Sequence, residues 1–144
     1  MRGLILAGLI AAATPVWAEG TPRPEDARLY IIGLEDGQTV SSPLTVRFGL
    51  SGMGVAPAGV EIENTGHHHL MIDRPALGEG EFGAEEFDLA LPSDDNHRHF
   101  GGGQTQVVLD LDPGEHTLQL VLADHGHVPH DPPLVSERIT VVVE

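Results

Sequence analysis

Leu44-Thr45-Val46-Arg47-Phe48-Gly49-Leu50 puts an apolar residue at every second position. That period of two belongs to a strand with one face in a core and the other toward water. The same alternation returns in His116 to Asp124, where Leu118, Leu120 and Leu122 share a face. Leu29 to Leu34 is a shorter apolar run ended by the turn Glu35-Asp36-Gly37, and Asp112-Pro113-Gly114-Glu115 is a second turn, with proline at a favoured position. His69 to Asp73, Gln106 to Leu111 and the β-branched Arg138 to Val143 read as further strands. Ser51 to Gly59 (SGMGVAPAG) reads as a loop, and residues 74–96 are irregular and acidic. No segment carries a helical period with caps. The expected fold is all-β, an antiparallel immunoglobulin-like sandwich of about seven short strands, with a closed Greek-key barrel as the alternative.

The N-terminal residues read as an address. Arg2 precedes the apolar run Gly3 to Ala13, Thr14-Pro15 breaks it, and Val16-Trp17-Ala18 offers small residues at a cleavage site. Residues 1–18 are therefore expected to be a secretory signal cleaved after Ala18, residues 19–27 a flexible leader, and residues 28–144 a single domain. The run is short for a bilayer span, so no stable membrane anchor is expected, and the protein belongs in the periplasm or outside the cell.

Charge and composition remove whole classes of function. The chain carries 22 Asp+Glu against 7 Lys+Arg, all seven of them arginine, for a formal charge of −15. Nucleic-acid binding needs clustered cations to displace phosphate counterions, so it is not expected. The absence of cysteine excludes disulfides, thiolate zinc sites, iron–sulfur clusters and thiol catalysis. Phe100 to Thr105 (FGGGQT) lacks the lysine of a phosphate loop, and its glycines are better read as permitting close backbone approach beside His97 and His99.

Nine histidines remain, eight of them in three segments: Gly66 to His69, Asn96 to Phe100 and Asp124 to His130. Each segment contains His-x-His, as His67/His69, His97/His99 and His125/His127. On a strand that spacing puts two imidazoles on one face, where one metal ion can meet both. The expected metal ligands are His67, His69, His97, His99, His125, His127 and His130. Asp73, Asp124 and Asp131 are the candidates to accept the second ring N–H of a ligating histidine. His68 falls on the opposite face and reads as a packing residue, as does Met71 in the other phase; His116, at the start of a leucine stripe, reads as structural. Without thiolate, imidazole donors suit Cu(II) or Zn(II), and no organic cofactor is expected. Calcium is disfavoured because no loop alternates carboxylates around a glycine.

These stretches together resemble a family of small exported bacterial proteins catalogued as a domain of unknown function. The resemblance rests on Asp36-Gly37 to Leu50, Ser51 to Gly59, Thr65 to Asp73 (TGHHHLMID), Asp95 to Thr105 (DNHRHFGGGQT) and Pro113 to Arg138 (PGEHTLQLVLADHGHVPHDPPLVSER). It implies an exported β-sandwich and brings no activity with it. Residues 75–93 depart from the pattern, being longer and more acidic. The leading expectation is a transition-metal binder, copper before zinc, for carriage, buffering or sensing, with the metal ion and an envelope protein as partners. A His-ligated metalloenzyme of redox or hydrolytic chemistry and a metal-free envelope interaction module are the alternatives.

Overall fold

The computed structural model describes residues 20–144. The expected signal segment, its cleavage after Ala18 and the new terminus at Glu19 lie outside the described residues. Among the described residues ten strands form, with one 3-10 turn at Gly83–Phe87. They are β1 Arg28–Ile32, β2 Gln38–Val40, β3 Leu44–Ser51, β4 Gly54–Val55, β5 Thr65–Ile72, β6 His97–His99, β7 Gln106–Leu109, β8 Gly114–Ala123, β9 Pro129–Val135 and β10 Ile139–Val143. Among the described residues no helix is long and apolar enough to cross a membrane.

The strands make two sheets that do not close into a barrel, so the architecture is a β-sandwich. The smaller sheet runs β1-β3-β7 and the larger β2-β10-β8-β5-β4. In the larger sheet β10 covers the first half of β8 and β9 the second half, while β6 pairs with β5. Pairing is antiparallel except for the short β2 with β10 and β4 with β5.

The alternations seen in the sequence meet between the sheets. Val46 and Phe48 of β3 face Leu118, Leu120 and Leu122 of β8, with Leu70 and Ile72 of β5 beside them. Each such side chain, fully buried, contributes roughly 1.5–3 kcal/mol. The even residues of β5 thus face the core, and His68 among them sits 5.1 Å, ring to ring, from Phe48. The odd residues, His67, His69 and Met71, face the outer side of the larger sheet. There a second apolar layer forms: Met71, Val121 and Ala123 are covered by Leu77, Phe87 and Leu91. The acidic excursion of residues 74–96 supplies that cover, which is why β5 and β8 are buried on both faces.

The segment expected as a leader is laid against β9. Pro22 bridges to Asp131, Arg23 donates to the carbonyls of Pro132 and Pro133, and Ala27 is buried in the core.

Candidate metal centre

Three segments deliver four imidazoles to one place on the outer face of β5. His67 and His69 come from β5 itself. His99 comes from β6, whose register sets it opposite His69. His127 comes from the turn after β8, in a left-handed backbone conformation with φ 71°. The six ring-to-ring distances within this quartet lie between 4.7 and 6.2 Å. His67, His69 and His99 each offer a ligand nitrogen within 4.8 Å of the others, so this cluster could hold a metal ion. The Nε2 atoms of His67 and His69 stand 3.1 Å apart.

That separation is chemically informative. At metal–nitrogen bonds of about 2.0–2.1 Å, two ligands on one ion lie about 3.3 Å apart in a tetrahedron and about 2.9 Å apart in a square plane. The observed spacing falls between the two. His67 and His69 are fully buried, and their Nδ1 atoms, with Nε2 of His99, have no hydrogen-bond partner among the described residues.

Burial sets the protonation state. Desolvation, followed by the neighbouring imidazoles His99 and His127, lowers the pKa of His67 to about 4. Desolvation and then His97, His67 and His99 lower that of His69 to about 2. His99 is also lowered, by burial and then by His127. At neutral pH these rings are neutral, which a metal ligand requires.

His97 shares the face of His99, with its ring 5.3 Å from His69. It is buried, which lowers its pKa to about 4, and its Nε2 is unpartnered among the described residues. His125 lies exposed outside the quartet, because residues 125–127 form a turn rather than a strand and the two rings diverge. His130 is buried on β9, with Nδ1 donating to the Thr21 carbonyl at 3.0 Å and Nε2 over Gly66. No cluster imidazole bonds to Asp73, Asp124 or Asp131 among the described residues. Asp73 instead pairs with His116, whose Nδ1 and Nε2 meet its carboxylate at 2.8 Å and the Asp112 carbonyl at 2.9 Å. Both partners are acceptors, and the bond to Asp73, followed by that to the Asp112 carbonyl, raises the pKa of His116. Asp131 is exposed.

Asp124 acts on backbone instead. Its Oδ1 accepts from the N–H groups of Gly126 and Val128, and its Oδ2 from the Thr21 hydroxyl at 2.7 Å. Burial opposes its charge, but the bonds from Thr21, Val128 and Gly126 outweigh that and hold it below the usual carboxylate range. The carboxylate therefore shapes the turn that presents His127. Thr21 had no signal in the sequence, since its partner is 103 residues away.

The glycine run after β6 has a steric reason. A Cβ on Gly101 would stand 2.4 Å from Cε1 of His99. Gly101→Ala is expected to turn the His99 ring out of the quartet and weaken metal binding by about tenfold, in line with losses on disturbing ligand orientation. A calorimetric titration beside wild type checks this, and unchanged affinity would show that His99 needs no such clearance.

A family model described as "Domain of unknown function (DUF4399)" matches residues 46–144, and the chain belongs to that family. No curated protein and no solved structure matches the chain.

Proposed function

We propose that this family member binds one transition-metal ion, copper ahead of zinc, at the quartet of His67, His69, His99 and His127, and serves metal carriage, buffering or sensing outside the cytoplasm. The observation that carries the reading is the pair of neutral, buried imidazole nitrogens 3.1 Å apart, joined by rings from two other segments. At 3.1 Å the His67 and His69 Nε2 atoms can share one ring proton, but Nδ1 of each and Nε2 of His99 have no partner among the described residues, and each buried unpartnered nitrogen costs about 1–3 kcal/mol. Imidazole donors without thiolate favour Cu(II), which also stands highest in the divalent affinity order. With the His127 ring, 4.7 Å from that of His99, as a fourth donor beside the three close ones, the ion would be saturated, whereas a catalytic metal keeps an exchangeable position. The N-terminal sequence supports export, and a charge of −15 attracts cations to the surface.

Protein purified without a histidine tag, stripped of metal and titrated with Cu(II) and Zn(II), tests the proposal. One equivalent is expected to bind with a dissociation constant below about 1 μM, copper the tighter. Weaker binding of both metals would defeat it.

A further inference from the structure

The turn that presents His127 is costly to hold. His127 is a non-glycine residue at φ 71°, a left-handed conformation that persists only where its surroundings over-determine it. Leu91 contributes a bond from its N–H to the His127 carbonyl at 2.9 Å, and Asp124 contributes the rest of the frame. Its N–H donates to the Val128 carbonyl at 2.9 Å, and its carbonyl accepts from the His127 N–H at 3.0 Å. Its Oδ1 accepts from the N–H groups of Gly126 and Val128 at 2.8 and 3.0 Å. A carboxylate on a residue only 5% exposed must itself be fixed. Among the described residues Oδ2 has one hydrogen-bond partner, the Thr21 hydroxyl at 2.7 Å.

Thr21 is delivered by a docked segment rather than a loose one. Its carbonyl accepts from the Asp131 N–H at 3.1 Å and from Nδ1 of His130 at 3.0 Å. Pro22 bridges to Asp131, and Arg23 donates to the carbonyls of Pro132 and Pro133. A Cβ on Gly20 would collide with the Pro129 carbonyl, so only glycine lets the backbone lie this close. A leader with no task needs none of these contacts. Residues 20–23 also lie outside the span 46–144 that the family model matches.

We propose that residues 20–23 form a strap that completes the metal centre, with Thr21 as the positioning residue for His127; the inference rests on metal binding at the quartet. With the strap docked, the His127 ring stands 4.7 Å from that of His99 as a fourth donor. With it released, three imidazoles and an exchangeable position remain, so docking governs how firmly the ion is kept. Thr21→Val keeps the shape of the side chain and removes the hydroxyl. In the metal-free chain it is expected to speed amide exchange at Gly126 and Val128 by about tenfold or more, while exchange in β3 and β8 stays as in wild type. It should weaken Cu(II) by about tenfold, and Thr21→Ser should restore both measurements to wild-type values. In a His127→Ala background Thr21→Val should cost no further affinity, because a residue that acts through His127 then has nothing to position. A general role in stability would instead weaken both backgrounds alike. Wild type that binds no metal would overturn this role together with the quartet. Wild type that binds metal, but with unchanged exchange at Gly126 and Val128 in Thr21→Val, or with equal losses in both backgrounds, would overturn the strap alone.

Discussion

His69→Ala is expected to lower Cu(II) affinity by more than about 100-fold, a loss shared only by His67→Ala and His99→Ala. Disturbing a group that merely orients a ligand costs about 10- to 100-fold, and removal of a central ligand exceeds that. His69 is one of three histidines whose ligand nitrogens lie within 4.8 Å of one another, and its ring lies 5.0 Å from both His67 and His99. His127→Ala, from the half-buried turn, should cost less, about tenfold, because His127 is not among the three whose ligand nitrogens lie within 4.8 Å of one another. The contrast with the remaining histidines gives the experiment its force. His125→Ala and His116→Ala should leave affinity within about threefold of wild type, a shift below 1 kcal/mol. His125 is exposed, and His116 is engaged with Asp73 and Asp112. Equal losses at His125 and His127 would mean that the metal is held by the turn alone and not by the quartet. Melting curves on each metal-free variant separate lost ligation from lost folding.

Acid is expected to unfold the metal-free protein over a pH range in which most acidic proteins are still comfortable. Four buried histidines, His67, His68, His69 and His97, have pKa values lowered to about 4 or below, first by desolvation in each case. In the unfolded chain they return to about 6.5. Between those values the unfolded state binds more protons, so stability falls as pH falls, by as much as about 1.4 kcal/mol per pH unit for each group. Above pH 6.5 both states are neutral at these rings and the contribution is complete. Protonating the 22 carboxylates works in the opposite sense by relieving repulsion, but the reference range for carboxyl groups in peptides lies near pH 4, below this window. The histidines therefore win from pH 6.5 to 5. A loss of at least about 3 kcal/mol between pH 7 and pH 5 is expected from urea titrations, a large share of the usual 5–15 kcal/mol. Bound metal competes with the protons and should move the acid transition to lower pH. Constant stability from pH 7 to pH 5 would contradict the burial of these rings.

The parts of the molecule that were legible in the sequence are those governed by local periodicity. The alternation at 44–50 and at 118–122 gave the two facing surfaces of the core, because a strand's side chains can only alternate. His67/His69 and His97/His99 keep their spacing because both pairs lie on strands. His125/His127 has the same spacing in a turn, where alternation does not hold, so only one of the two rings reaches the quartet. β9 escaped notice because Pro129, Pro132 and Pro133 read as strand breakers, yet it pairs only along the second half of β8, and its bridge to Pro22 is made at Asp131, which keeps its N–H. β5 begins at Thr65, four residues before the expected start, since Gly66 and three consecutive histidines carry no β signature of their own. The partners of Asp73, Asp124 and Thr21 depended on contacts between distant segments and had no local trace.

The register of β6 on β5 carries one more consequence. The chain leaves β5 after Ile72, makes the whole acidic excursion, and comes back on β6 with His99 directly opposite His69. An ion held by those two rings would knot the excursion shut at its base, turning an open-ended stretch of chain into a closed ring. In a protein without cysteine, such a clasp does what a disulfide does elsewhere: it shrinks the number of conformations open to the unfolded chain, and more so the longer the loop it closes. Metal supply would then govern how long the excursion survives exposure to proteases, quite apart from any cargo the ion represents.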